Sequence, residues 1–190
     1  MVSDEAKKQE YIETSMKKAV RISELTDRLF EYVKLESPEY ILHKKDCDLP
    51  ELLRNSVANL YSEFEAKKIS LELNIIEKSV IKNIDPLEID RVFTNLLNNA
   101  LKHNESGIKV LVEMDSDGKT LICDSGKPIP SDTAAHLFKP FVSGDKARTS
   151  KSGSGLGLAL SYKIMKKHGG NLSYKSPCGS WNKGFVVEFE

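Results

Sequence analysis

The sequence predicts an α/β (α+β) two-layer sandwich, in which a mixed, mostly antiparallel sheet is covered by helices on one face and preceded by one long amphipathic helix. Three observations carry this expectation. Residues Asp4 to Glu36 contain neither Gly nor Pro and repeat their apolar residues at helical spacing. Beyond them, short segments of period two alternate with segments of period three to four. The length, 190 residues, is enough for one domain with its own core plus an appendage.

Taken in order, Met16, Ala19, Ile22, Leu25, Leu29, Tyr32 and Val33 recur at threes and fours, which is the stripe of a single long helix. Helical propensity does not bury such a stripe, so it calls for a partner helix. Ser37 and Pro38 end it, because the residue before proline disfavours the helical region. Asp48 then stands as an N-cap with Pro50 in the first turn and Glu51 at capping-box spacing, opening a helix to about Lys67. Ile69 to Ile75 alternates as a half-buried strand, and a second short strand follows from Val80 to Ile84. A helix begins after Asp85 and Pro86. Ile108 to Met114 alternates again, Asp115 to Gly118 is a hairpin turn, and Thr120 to Asp124 returns as its partner. Residues Ser125 to Ser154 are rich in Gly, Ser, Lys and Pro, with a short helix expected near Thr133 to Phe138; a connection this long in a compact domain signals a functional lid. Leu156 to His168 is a helix stopped by Gly169 and Gly170, and strands from Leu172 to Ser176 and Phe185 to Phe189 close the chain.

Bulk properties narrow the classes. The 28 basic residues balance 28 acidic ones, so no global field argues for nucleic acid or an anionic membrane surface. No apolar run approaches the roughly 18 residues of a membrane span, and the N-terminus lacks the apolar segment of a signal peptide; the expectation is a soluble, cytoplasmic chain. Cys47, Cys123 and Cys178 are odd in number and lack CxxC spacing, so they are expected as free thiols in a reducing compartment, with no zinc site or disulfide frame.

The chemistry concentrates in two places. On the helix after Asp85, residues Val92, Leu96, Ala100 and His103 share one side with Phe93, Leu97 and Leu101 beside them, while Asn95, Asn99 and Lys102 form one polar stripe. That stripe is either a solvated helix face or a site where carboxamide oxygens meet a hard cation such as Mg²⁺ and a lysine meets phosphate. Downstream, Gly153, Gly155 and Gly157 run straight into a helix, whose free N–H groups make an anion site. Lys139, Lys146, Arg148 and Lys151 on the connection are either solvated or face phosphate. Asp124 closes an apolar strand before Ser125 and Gly126; it is either a turn former or the acceptor for an exocyclic amine such as that of adenine. Gly118, Lys119 and Thr120 are not a P-loop, since Glu113 holds the required first glycine position. Nor do Gly153, Gly155 and Leu158 make a dinucleotide fingerprint.

In this order, the Asn/Asn/Lys helix, the Asp-x-Gly turn, the basic connection and the glycine turn resemble the ATP-binding catalytic domain of sensor histidine kinases. That superfamily includes type II topoisomerases and mismatch-repair ATPases. Asn95 to His103 resembles its N box, Asp124 to Gly126 its first glycine box, Phe138 to Phe141 its aromatic box and Gly153 to Ala159 its second glycine box, over about residues 48 to 190. The resemblance implies Mg²⁺ held by Asn99 with Asn95 in support, Lys102 and Arg148 as catalytic cations on the phosphates, Lys146 beside them, and His103 against the nucleotide. It implies adenine read by Asp124, with Gly126, Ile129 and Phe138 in the nucleotide-binding set, and phosphates cradled by Gly153, Gly155, Leu156, Gly157 and Leu158. Residues 1–46 resemble the second helix of the family's dimerisation hairpin plus a linker, and 47–190 the catalytic domain.

Two departures stand out. Pro128 occupies the first glycine box, where it removes an N–H. None of His43, His103, His136 and His168 lies on the long helix, so the phosphoacceptor histidine is absent from this chain. The implied function is transfer of the γ-phosphoryl of ATP to a histidine of another helix of the same kinase, for relay to a response-regulator aspartate, in a protein that is a homodimer at full length and either soluble or membrane-anchored. The alternatives are an interaction module with a vestigial pocket, which Pro128 favours, and an ATPase. Against the last, Asn95 stands where such ATPases carry a glutamate base, and an amide takes no proton from water.

Overall fold

A computed structural model describes residues 2–142 and 155–190. The elements are α1 (Val2–Glu36), β1 (Lys45–Asp48), α2 (Leu49–Ala66), β2 (Ser70–Ile75), β3 (Ile81–Ile84), α3 (Pro86–His103), β4 (Lys109–Met114), β5 (Thr120–Asp124), α4 (Ser131–Ala134), α5 (Gly157–Lys167), β6 (Asn171–Lys175) and β7 (Lys183–Glu188). Five strands form one sheet in the order β2-β4-β5-β7-β6, with β2 and β4 parallel and the other pairs antiparallel. This is the mixed, mostly antiparallel sheet expected, and α2, α3 and α5 pack over it.

The core sits between these layers. On α3 the apolar stripe Ile89, Val92, Phe93, Leu96, Leu97, Ala100 and Leu101 is buried, meeting Leu53, Val57 and Phe64 of α2 and Leu160 and Ile164 of α5. Period two puts Val110, Val112, Ile122, Phe185 and Val187 on the same side of the sheet. Phe93 is wholly buried, so truncating it to alanine would cost about 3–5 kcal/mol. The opposite face carries a smaller cluster of Cys123, Cys178 and Val186 under Leu111, Leu121 and Trp181.

Several expectations need correction. The strand expected at Val80 to Ile84 does not join the main sheet; β3 pairs antiparallel with β1, a strand whose charged residues gave no alternation to read. Asp48 does precede α2, but its carboxylate accepts from the Val80 N–H at 3.1 Å and makes no cap bond, so no capping box forms. The short helix near Thr133 is one turn, Ser131–Ala134. Cys123 and Cys178, 55 residues apart, are paired as a disulfide, leaving Cys47 as the free thiol. Strand pairing brings them together, which spacing along the chain does not reveal.

Helix α1 leans on α5 through its last turns, and the linker after it is tied down by polar bonds. Arg91 of α3 pairs with Glu31 at 3.0 Å, and Glu36 bonds Lys163. Lys167 donates to the carbonyls of Ser37 and Tyr40, each at 3.4 Å. The Tyr40 hydroxyl donates to Glu88 at 2.7 Å; burial, with the Glu88 carboxylate beside it, pushes this phenol up to about 12. His43 N–H donates to Asp85 Oδ2 at 2.9 Å, while Asp85 Oδ1 caps α3 through the N–H groups of Leu87 and Glu88. The Asp85 N–H in turn donates to His168 Nε2 at 3.0 Å, and Nδ1 lies 2.8 Å from the Ile164 carbonyl. An Nε2 that accepts is unprotonated, and burial lowers the affinity of this imidazole for a second proton. Along α1, Tyr11, Ile12, Met16, Val20, Phe30 and Val33 are exposed. No helix among the described residues is long and apolar enough to cross a membrane.

Candidate active site

A cleft of about 420 Å³ opens between α3, the N-terminus of α5 and the ends of β5 and β7. Its apolar lining is Leu96, Ala100, Ile122, Ile129, Leu137, Leu158 and Phe185. Around this lie Asn95, Asn98, Asn99, Lys102 and His103 of α3, Asp124 at the end of β5, and Gly155 and Gly157 at the start of α5. The described lining residues include four cations, Arg28, Lys102, Lys127 and Lys183, and one carboxylate, Asp124. An apolar floor with one buried acid, beside a cationic and N–H-rich end, suits a molecule with an uncharged ring and an anionic tail.

The polar stripe of α3 borders this cleft, with Asn95 and Asn99 half-buried and Lys102 exposed. Asn95 Nδ2 donates to Gly157 O at 3.4 Å and Ser161 Oγ at 3.3 Å, which ties α3 to α5 and leaves the carboxamide oxygen as the acceptor end. Asn99 Nδ2 is buried with no hydrogen-bond partner among the described residues. A buried orphan amide is costly unless a ligand completes it, and it belongs to a side chain that lines the cleft. The N-cap residue of α5, Leu156, has no side chain that can cap its first turn. The N–H groups of that turn and the helix dipole therefore favour an anion where Gly155, Gly157 and Leu158 line the cleft. Gly155 is in the left-handed region at φ +68°, and a Cβ there would lie 2.8–2.9 Å from the backbone of Phe141 and Val142.

The register explains Asp124. It is the cross-strand partner of Lys183, and both point to the helix-covered side, where Nζ and Oδ1 lie 3.5 Å apart. Asp124 Oδ1 also accepts from the Gly126 N–H at 2.9 Å, so the turn-former role and the cleft-lining position coexist. Lys183 Nζ donates further to Asn104 Oδ1 at 3.2 Å and Lys127 O at 2.8 Å. Next to it, Asn182 Nδ2 donates to the carbonyls of Ser125 at 2.8 Å and Gly126 at 3.3 Å. Three successive carbonyls after Asp124 are thus held from the start of β7. Pro128 lacks an N–H, but this turn is held through its oxygens.

Of the residues singled out from sequence, Asn95, Asn99, Lys102, His103, Asp124, Ile129, Gly155, Gly157 and Leu158 all line this cleft. Three do not. Phe138 stacks on Tyr162 of α5, ring centroids 5.1 Å apart, and Leu137 lines the cleft in its place. Gly126 lies behind Asp124, where a Cβ would sit 1.8 Å from Asn104 Oδ1. The Leu156 side chain is fully buried as an anchor for α5, which leaves only its backbone for a ligand. Lys146, Arg148, Lys151 and Gly153 lie outside the described residues. Sequence reasoning missed Arg28, Asn104, Asn182 and Lys183. For Lys183 a signal existed: it shares the inward phase of Phe185 and Val187, an unusual place for a lysine.

Residues 84–190 match the family described as histidine kinase-, DNA gyrase B- and HSP90-like ATPases. The chain belongs to this family of ATP-using domains. It is 29% identical over 186 residues to the alginate biosynthesis sensor protein KinB of Pseudomonas aeruginosa, covering 96% of this chain and 31% of that protein. Among solved structures it is similar to the Acinetobacter baumannii histidine kinase AdeS (TM-score 0.72, 21% identity, 94% of this chain and 83% of that one). It is also similar to histidine kinase ThkA in complex with the response regulator protein TrrA (TM-score 0.69, 23% identity, 94% and 50%). At these identities the two structures show the fold. The chain spans 31–49% of the length of the first curated relatives it matches.

Proposed function

We propose that this chain is the ATP-binding catalytic part of a sensor histidine kinase, transferring the γ-phosphoryl of ATP to a histidine on a helix outside it, for relay to a response-regulator aspartate. The observation that carries this is the cleft itself: two asparagines of α3 and the N-terminus of α5 at one end, one buried carboxylate over an apolar floor at the other. Residues 47–190 would form the catalytic unit. Residues 1–46 would supply the second helix of a dimerisation hairpin, and the exposed apolar residues of α1 support a partner helix there.

Asp124 would accept from the adenine amino group while Ile122, Ile129, Leu137 and Phe185 enclose the ring. The first-turn N–H groups of α5 would hold the phosphates, with Lys102 and, from outside the described residues, Lys146, Arg148 and Gly153 adding to the cradle. Asn95, whose nitrogen is already given to α5, would offer its oxygen to a hard cation; Asn99 would offer its own oxygen beside it, while its Nδ2, without a partner among the described residues, would donate to a phosphate oxygen. When bound there, Mg²⁺ supplies neutralisation of β- and γ-phosphate charge. Phosphoryl transfer demands positioning and charge stabilisation more than covalent chemistry from the protein. The acceptor imidazole nitrogen forms a bond to the γ-phosphorus as the bond to the β,γ-bridging oxygen breaks and ADP leaves. With Asn95 in the place of a base, water is not activated.

Calorimetric titration with a non-hydrolysable ATP analogue, with and without Mg²⁺, tests the reading. Binding strengthened by Mg²⁺ is expected, and Asp124→Asn should weaken it by about tenfold or more, because a hydrogen bond to a charged acceptor contributes roughly 1.5–3 kcal/mol. Circular dichroism should show the variant folded. No binding up to millimolar nucleotide would overturn the proposal in favour of a contact module. Where binding holds, a histidine-bearing hairpin supplied in trans should become labelled from ATP.

A further inference from the structure

We infer that Lys183 is the positioning residue that makes Asp124 selective for an amino-bearing base, an inference resting on the reading of Asp124 just proposed. A lysine in a nucleotide cleft would ordinarily be assigned to phosphate. The geometry opposes that. An ammonium has three donors, and here three acceptors surround it: Lys127 O at 2.8 Å, Asn104 Oδ1 at 3.2 Å and Asp124 Oδ1 at 3.5 Å. Its side chain and that of Asp124 are each only 9% exposed, and the two are direct cross-strand partners.

The consequence falls on Asp124. Both contacts described for its carboxylate, from Gly126 N–H and from Lys183, are made by Oδ1. Holding one oxygen orients the plane of the group and reserves Oδ2 to accept from a ligand. The same ammonium binds the carbonyl of Lys127, which lines the cleft, and Asn104, whose Nδ2 donates to Ala100 O at the end of α3. Lys183 thus fixes the carboxylate relative to both walls between which a base would lie. A preorganised acceptor rewards a ligand that brings a donor, and rejects one that leaves the buried carboxylate unpaired.

The test compares ADP with purine riboside diphosphate, the same nucleotide lacking the 6-amino group, by calorimetry on the whole chain. Wild type should favour ADP by about tenfold or more. Lys183→Met should lose about tenfold for ADP, hold purine riboside diphosphate within about threefold, and so erase the preference; Lys183→Arg should restore much of it. A Lys183→Met protein that keeps the wild-type preference, or loses both ligands equally, overturns the inference, since a merely structural role moves both alike. Wild type that binds both equally overturns the reading of Asp124 itself, which is a different failure. If Lys183→Met does not fold by circular dichroism, Lys183→Ala, which likewise removes every donor, carries the same expected and overturning results.

Discussion

Replacing Gly155 with alanine should weaken nucleotide binding by about thirty- to a hundredfold while leaving the apo fold nearly as stable as before. Gly155 and Val142 both line the cleft, and the backbone joins them: Phe141 N–H donates to Gly155 O at 3.0 Å. Two costs follow from the substitution. An L-residue in the left-handed region at φ +68° costs about 1–2 kcal/mol. The new Cβ would sit 2.8 Å from the Phe141 carbonyl carbon, a backbone atom that moves only by giving up its bond to Gly155, worth about 1 kcal/mol. Together they reach roughly 2–3 kcal/mol against a scale of about 1.4 kcal/mol per tenfold. In the free protein this junction opens cheaply, since Phe141 is 62% exposed and little apolar surface is uncovered. The cost is therefore met on binding, where Gly155 and Val142 must return to the cleft wall. Calorimetry with the ATP analogue and a thermal melt of the free protein check it. A variant that binds within about threefold of wild type refutes the argument. So does one whose melting point falls in proportion to its affinity, which would place the junction inside the cooperative core.

Two further outcomes concern the linker after α1. Tyr40→Phe removes the donor at 2.7 Å from Glu88, a carboxylate whose Oε2 is buried without a hydrogen bond, so stability should fall by about 1.5–3 kcal/mol in urea unfolding. Because the phenol is raised to about 12 from 10.0, its contribution is complete below pH 10 and is lost as pH rises toward 12; ultraviolet titration should show one tyrosine ionising last, absent from the variant. His168 is lowered from 6.5 by burial, so the folded state binds fewer protons than the unfolded chain and stability is lost as pH falls below 6.5. Thermal melts at about pH 7.5 and 5.5 should show wild type losing more than His168→Gln, whose carboxamide oxygen accepts the Asp85 N–H at either pH; equal losses would contradict the neutral-imidazole assignment.

Elements with strong local signals are legible in the sequence. Pro86, then paired apolar residues at threes and fours, placed the start of α3 within one residue, because the fixed proline φ and the buried stripe agree; Pro86 itself is the first helical residue and Asp85 its cap. The N-box asparagines came with it, and the glycine turn and Asp124 supplied further residues of the cleft lining. What stayed hidden depended on pairing between distant segments. β1 has charges at three of four positions, so neither face is apolar and nothing marks it as a strand until β3 lies beside it. Asp48 had a cap's position, but the Val80 N–H, 32 residues on, takes its carboxylate.

Lys183 shows the limit most clearly. Periodicity alone places it inward with Phe185 and Val187, but its meaning comes from register, which sets it opposite Asp124. A slip of one residue would set Gly184 there and turn the ammonium to the other face of the sheet. The Asp124 turn would then lose the cation that holds both its carboxylate and the Lys127 carbonyl. Pro128, which in the sequence argues for a degraded pocket, loses that force for the same reason. The turn it occupies is held through the carbonyls of Ser125, Gly126 and Lys127 by Asn182 and Lys183, so the missing N–H is not one the turn relies on.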